Sequence, residues 1–229
     1  MSKGITHIDT AEYYGGGHTE EIVGKAIKNL NRKKLFLTSK VWTSNLKYND
    51  VIKALENTLK RLHTDYLDLY LIHYPNPDIP LEETLKALKE LKKHGLIKNF
   101  GVSNFSLDLL KKAQKLTENT IVTNQVEYNL LKKDKEMLKY CQENNIILTS
   151  YKPLIDSIKF RLPDAKLKIL EQLSKKYNKT KAQIIINWLI SQKNIITIPK
   201  SSNKKHIDEN IEALDFKLAE EDIKKLDTL

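Results

Sequence analysis

The chain has 229 residues, 40% of them hydrophobic and 30% charged, which suffices for a substantial core and excludes a disordered or low-complexity protein. Its 39 Lys and Arg against 29 Asp and Glu leave a formal charge of +10. The lysines are scattered as pairs such as Lys33-Lys34, Lys92-Lys93 and Lys224-Lys225, which reads as a solvated surface and not as a nucleic-acid stripe. No run is long and apolar enough to cross a bilayer and no secretory leader opens the chain. The single cysteine, Cys141, reads as a buried, inert thiol in a reducing compartment, so a cytoplasmic protein without membrane contact is expected.

Short apolar runs rich in β-branched residues alternate with amphipathic helical stretches along the whole chain. The first strand is expected at "ITHI" (5–8), ending in Asp9 and followed by Tyr14 and the glycines 15 to 17. The second is "LFLTS" (35–39). A helix follows, with Asn49 or Asp50 as N-cap and Ile52, Leu55, Leu59 and Leu62 on one face. The third strand, "LDLYLI" (67–72), precedes a helix that carries Leu81, Leu85, Leu88 and Leu91 and stops at Gly95. Strands at "NFGVS" (99–103), "IVTNQ" (121–125) and "IILTS" (146–150) come next. Thr180 and Gln183 then form a capping box ahead of Ile184, Ile185, Trp188 and Leu189, and "IITI" (195–198) is the last strand.

Strands that stay apolar on both faces and alternate with helices predict a parallel sheet covered by helices. No linker divides the chain, so a single domain over 1–229 is expected. Seven strands, each followed by a helix in nearly every case, fit a (β/α)8 barrel of about 250 residues that is one unit short. An open nucleotide-binding sheet would carry a glycine fingerprint. In "GGGHTEEIVGKA" Glu20 stands where the third glycine of the dinucleotide motif belongs. Thr19 and Ala26 likewise break the phosphate-loop pattern.

In a barrel the chemistry collects at the carboxyl ends of the strands. Asp9, Lys40, His73, Ser103 with Asn104, Asn124 with Gln125, Tyr151, and Lys200 with Ser201 close the seven strands in order. Each alone has an ordinary explanation, such as a snorkelling lysine or a hydrogen-bonded core histidine. Together they form a ring of ionisable and amide groups around one mouth, with no metal-ligand cluster among them.

The segments "HIDTAEYYG", "SKVW", "LYLIHYP", "GVSNF", "NQVEYN", "SYKPL" and "IPKSSN", in this order, resemble the aldo-keto reductase superfamily from about residue 5 to the last helix. The resemblance implies reduction of an aldehyde or ketone by hydride transfer from a nicotinamide cofactor, NADPH in the usual case. It implies that Asp9, Tyr14, Lys40 and His73 are the catalytic set. A free tyrosine, with a pKa of about 10, is a poor acid at neutral pH, and an ammonium beside it stabilises the phenolate. Lys40 would play that part, kept charged by Asp9, and Tyr14 with His73 would hydrogen-bond the oxygen on which negative charge develops.

By the same resemblance Trp42 walls the substrate pocket, and Ser103, Asn104 and Gln125 grip the nicotinamide carboxamide. Tyr151 stacks on the ring, Leu154 of "SYKPL" adds a cofactor contact, Lys200 and Ser201 take the 2′-phosphate, and Glu209 and Asn210 approach the adenine. His206 stands where many members have arginine, Lys152 follows Tyr151 where a small residue is commoner, and the chain stops at Leu229 without the family's C-terminal tail. By the resemblance, the family's first βα unit is also expected to be absent ahead of "HIDTA". An opened or distorted seven-stranded barrel is therefore expected, either as a monomer or as an oligomer that completes the strand. A catalytically weak remnant, serving as a binding or regulatory subunit, is the alternative to a working reductase of a small carbonyl substrate.

Overall fold

The computed structural model describes residues 4–154 and 164–229. The chain forms two compact units, Met1–Asn124 and Gln125–Leu229.

In the first unit strands and helices alternate as β1 (His7–Asp9), α1 (His18–Ile27), β2 (Phe36–Val41), α2 (Tyr48–Leu62), β3 (Leu67–Ile72), α3 (Leu81–Lys93), β4 (Ile97–Ser103) and α4 (Leu107–Leu116). The pairs β1–β2, β2–β3 and β3–β4 are all parallel. Their register sets Asp9 against Thr38, Val41 against Ile72, and Ile72 against Val102, so the carboxyl ends lie side by side. Bonds just past the strands continue the ladders: Thr10 N–H reaches the Thr38 carbonyl (2.9 Å) and His73 N–H the Val41 carbonyl (3.0 Å).

All six residues of β3 are buried, as a strand covered on both faces requires. Asp68 is the one charged residue among them. Its carboxylate accepts the Leu37 N–H (3.0 Å) and pairs with Arg32 and Lys98, which holds its carboxyl below the usual carboxylate range despite the opposing effect of burial. Helix α2 packs on α1 closely enough that a Cβ on Gly24 would lie 2.4 Å from the Arg61 carbonyl oxygen.

Two expectations are corrected here. Helix α2 begins at Tyr48 with Lys47 at the N-cap, and Asn49 and Asp50 lie in its first turn. A partner distant in sequence serves the start of the helix instead: the Glu83 carboxylate of α3 accepts the Tyr48 N–H (2.9 Å), one of the orphan donors of the first turn. The fifth strand, β5 (Thr123–Glu127), which runs across the boundary between the units, starts two residues later than the apolar run suggests. Asn124 and Gln125 thus sit inside β5 and do not close it. Polar residues can continue the strand because their side chains find partners, as when Asn124 Nδ2 donates to the Phe105 carbonyl (3.0 Å).

The second unit continues with α5 (Lys135–Glu143), β6 (Ile147–Tyr151), α6 (Asp164–Tyr177), α7 (Lys181–Ser191), β7 (Ile195–Thr197), α8 (Lys204–Glu212) and α9 (Glu220–Asp227). β6 and β7 are parallel, with Ser150 against Thr197. The capping box forms as expected: Gln183 N–H donates to Thr180 Oγ1 (3.2 Å), and Thr180 N–H to Gln183 Oε1 (2.9 Å). Trp188 is fully buried, parallel to Tyr128, and its indole N–H donates to Asp227 Oδ1 (2.8 Å). Cys141 is buried, and burial pushes its thiol up to about 12, so it stays protonated and unreactive. No helix among the described residues is long and apolar enough to cross a membrane.

Candidate active site

Asp9 is the last residue of β1 and Lys40 the next to last of β2, and the parallel register brings the two side chains together. Lys40 is entirely buried. Its ammonium donates to Asp9 Oδ1 and to the Thr10 carbonyl (2.9 Å), so the charge is both paired and hydrogen-bonded. The same Nζ lies 5.1 Å from the centre of the Tyr14 ring.

Tyr14 opens a short 3-10 turn over Tyr14–Gly17. Gly15, Gly16 and Gly17 have φ of 61°, 60° and 96°, three consecutive left-handed residues that a side chain would resist. The turn leaves Tyr14 on the surface, 38% exposed, with its ring edge-on to His73 at 5.5 Å between centroids. His73 follows β3 directly and is buried. Among the described residues its Nδ1 has no hydrogen-bond partner. Burial, and then the charge of Lys40, lowers its pKa from 6.5 to about 4, so the imidazole is neutral at physiological pH. A phenol, a neutral imidazole and a paired ammonium therefore meet at the ends of three adjacent strands, where they can donate a proton and hydrogen-bond an oxygen anion.

Ser103 and Asn104 continue this row at the end of β4. Asn104 adopts φ of 61°, and its amide donates to the His73 carbonyl (3.0 Å) and to Ser103 Oγ (3.0 Å), which ties both residues to the histidine. Trp42 stands two residues past Lys40, with its ring 5.1 Å from His73.

Several neighbours escaped the sequence reading. Tyr13 stacks on Trp42 at 3.7 Å, and Tyr74 lies parallel to His73 at 5.4 Å, so the imidazole sits within an aromatic wall. Glu12 accepts the Trp42 N–H and an amide hydrogen of Asn45 (3.1 Å), which fixes the turn that carries the tryptophan. Glu20 is fully buried between Ser39 and Arg61. A signal for Glu20 was present, because it shares the i, i+4, i+7 face of α1 with the buried Gly24 and Ile27. An open cavity of about 580 Å³ runs along the Tyr14 loop, lined by Glu12, Tyr13, Gly15, Trp42, Asn45 and Arg61. Asp9, Tyr14, Lys40 and His73 do not line it, so it lies beside these groups and not between them.

The remaining candidates lie in the second unit. Gln125 is buried in β5, Tyr151 ends β6 half-buried, and Leu154 is half-buried three residues later. Lys200 is exposed beyond β7. Ser201 Oγ accepts the Asn203 N–H (3.1 Å) just ahead of α8, where Asn203 caps the helix by accepting the Lys205 N–H (2.9 Å). His206 is exposed in the first turn of α8, which holds no acidic residue, while Glu209 and Asn210 are half-buried farther along. Exposed ammonium groups, a serine hydroxyl and a helix N-terminus make a donor set chemically suited to a phosphate. The amides and hydroxyl of Gln125, Asn104 and Ser103 can each donate and accept, as a carboxamide requires. Taken unit by unit, the amide and hydroxyl of Asn104 and Ser103 in the first, and the phosphate-suited donors with Gln125 in the second, are each chemically compatible with part of a dinucleotide. Among the described residues no group of three or more His, Cys, Asp or Glu side chains is arranged to hold a metal ion.

A sequence model of the Aldo/keto reductase family matches residues 1–229. Glyoxal reductase of Bacillus subtilis (strain 168) is 40% identical over the whole of this chain and 80% of its own length. Methylglyoxal reductase YeaE of Escherichia coli (strain K12) is 35% identical over 98% of this chain and 79% of its own. Among solved structures, a thermostable aldo-keto reductase in complex with the inhibitor epalrestat superimposes with a TM-score of 0.95 at 48% identity, covering 99% of this chain and 83% of its own. An aldo/keto reductase from Klebsiella pneumoniae, in complex with NADP and acetate, gives 0.91 at 35% identity, over 99% and 81% of the two chains. The likeness agrees with the α/β barrel class, of which seven strands are formed by the described residues.

Proposed function

Since this chain belongs to the aldo/keto reductase family, whose members are NAD(P)H-dependent oxidoreductases, we propose that it reduces a small aldehyde or ketone to the alcohol, with NADPH as hydride donor and Tyr14 as proton donor. The observation that carries this reading is the grouping of Tyr14 with Lys40 on one side (5.1 Å) and His73 on the other (5.5 Å). When bound, the reduced nicotinamide supplies the hydride.

The protein's own groups do the rest. The neutral imidazole of His73 and the phenol of Tyr14 hydrogen-bond the carbonyl oxygen, more strongly as negative charge gathers on it. Tyr14 then gives up its proton to that oxygen. The phenolate left behind is stabilised by the buried ammonium of Lys40, which Asp9 keeps charged and aimed. Ser103, Asn104 and Gln125 would orient the carboxamide, with Tyr151 against the ring and Leu154 beside it. Lys200 and Ser201 would take the 2′-phosphate, and His206, Glu209 and Asn210 the adenine end. Trp42, backed by Tyr13, would wall the substrate pocket. The names of the Bacillus and Escherichia relatives favour two-carbon and three-carbon α-oxoaldehydes as substrates.

The test is NADPH consumption with glyoxal or methylglyoxal, for the wild type and Tyr14→Phe. Turnover by the wild type, and its loss by about a hundredfold or more in the variant with NADPH affinity within about twofold, is expected for a general acid. Saturable quenching of the Trp42 and Trp188 fluorescence by NADPH without any carbonyl turnover would instead support a binding subunit. Unchanged turnover in Tyr14→Phe would require another acid.

A further inference from the structure

The loop that follows Tyr14 holds three consecutive glycines in left-handed conformations, and none has a side chain to anchor it. Ahead of Tyr14 the chain is clamped, because Glu12 reaches across to Trp42 and Asn45. Behind Tyr14 the support is of another kind. A Cβ placed on Gly17 would lie 2.8 Å from Arg61 Nε and 2.9 Å from Arg61 Cδ, so the arginine side chain lies directly against the Gly17 backbone. Arg61 also lines the cavity that Gly15 and Gly16 line. It belongs to the last turn of α2, far from Tyr14 in sequence.

The guanidinium is itself held in place. Nε donates to Glu20 Oε2 (2.6 Å) and Nη2 to Thr58 Oγ1 (3.3 Å). Glu20 is fully buried, and its other oxygen accepts from Ser39 Oγ (2.5 Å). Ser39 is the residue before Lys40. One buried carboxylate therefore bridges the strand that carries the ammonium and the arginine on which the phenol's loop rests.

We infer that Arg61, held by Glu20, is a positioning residue for Tyr14: its guanidinium is the floor that keeps the Gly15-Gly16-Gly17 loop, and so the phenol, in register with Lys40 and His73. This rests on Tyr14 being the proton donor. In this role Arg61 acts through the loop and not on the reacting atoms. An apolar residue of similar length would fill the space but leave Glu20 without its cation, and the loop without a fixed surface. Misplacement of a reacting group by about 1 Å can slow a reaction by about a hundredfold, so a small shift of the loop would register in turnover.

The experiment is a double-mutant cycle between Arg61→Met and Tyr14→Phe, following kcat, KM and NADPH affinity at a temperature where every variant is folded. In the presence of Tyr14, Arg61→Met should lower kcat by about tenfold or more, with NADPH affinity within about twofold. In the Tyr14→Phe background the same substitution should change the residual rate by less than about twofold, because there is no phenol left to misplace. An equal fall in both backgrounds, or no fall in either, would overturn the inference in favour of a merely structural ion pair. If Tyr14→Phe alone leaves turnover unchanged, the proton-donor assignment fails and takes this inference with it. Should Arg61→Met not fold, Glu20→Gln/Arg61→Met leaves neither charge unpaired and is carried through the same two backgrounds, with the same outcomes deciding.

Discussion

Lys40 and Asp9 meet across the β1–β2 pair with the ammonium wholly buried and the carboxylate side chain 9% exposed. In the proposed mechanism they are the charged pair on which the neighbouring phenol depends. Removing one charge strands the other. Asp9→Asn should therefore destabilise the protein by about 3 kcal/mol, the loss expected when a buried ion pair is broken from one side. It should also lower kcat, since an unpaired buried ammonium loses its proton readily. Chemical denaturation and steady-state kinetics on the same preparation check both. A variant as stable and as active as the wild type would show that the Thr10 carbonyl alone suffices to hold Lys40.

His73 gives a pH signature whose sign follows from its surroundings. Its pKa falls from 6.5 to about 4 on folding, through burial and then Lys40, so between these values the unfolded chain binds a proton that the folded protein refuses. Stability should decline as pH drops through that window, by at most about 1.4 kcal/mol per pH unit from this group, and this term should be flat above it. His7, also lowered by burial, acts in the same direction. The contribution of His73 is isolated by comparison with His73→Gln, whose melting temperature should change less between pH 6.5 and pH 4.5. Parallel curves for the two proteins would remove His73 from the account.

Lys200 should carry discrimination between NADPH and NADH. Its ammonium is exposed ahead of α8, beside a serine and a helix N-terminus without acidic residues. A charge-assisted bond to phosphate contributes about 1.5 to 3 kcal/mol, so Lys200→Ala should weaken NADPH binding by about tenfold or more and leave NADH nearly unaffected. His206→Arg should tighten NADPH, because a guanidinium can clamp a phosphate in bidentate fashion. Tryptophan fluorescence titrations with each cofactor measure both, and equal affinities untouched by either substitution would count against this site.

At Gly24 helix α1 meets the backbone at the end of α2, and a Cβ there would lie 2.4 Å from the Arg61 carbonyl oxygen and 3.0 Å from Leu62 C. Backbone cannot yield as a flexible side chain can. Gly24→Ala should force the helices apart at a cost of roughly 1 to 3 kcal/mol, despite the better helix propensity of alanine. A melting temperature equal to or above that of the wild type would contradict the packing described.

How much of this was legible in the sequence depends on the range of the interaction. Strand and helix positions follow from local periodicity, and all seven expected strands form, because a residue's burial repeats every second or every third to fourth position along its own segment. The capping box at Thr180 and Gln183 spans three residues, and the stop at Gly95 is a single left-handed glycine with φ of 74°; both are local and both form. In the first unit the groups at the ends of β1 to β4 were placed for a related reason: strands paired in parallel in chain order set their last residues side by side, whereas Asn124 and Gln125, expected to close the fifth strand, lie inside it. Three features were not readable. Helix α2 starts at Tyr48, where Glu83 of another helix serves its first turn. Tyr13 stacks on Trp42, and Glu20 selects Ser39 and Arg61. Each is a choice among many equally plausible polar or aromatic partners tens of residues away. Spacing along the chain carries no information about such a choice; only the packing of the elements against one another settles it. The sequence by itself thus determined the alternation of elements and, in the first unit, the row of chemical groups from Asp9 to Asn104 at the ends of β1 to β4. The tertiary structure alone decided how that row is held, since side chains distant in sequence find one another only after the backbone has brought them within reach.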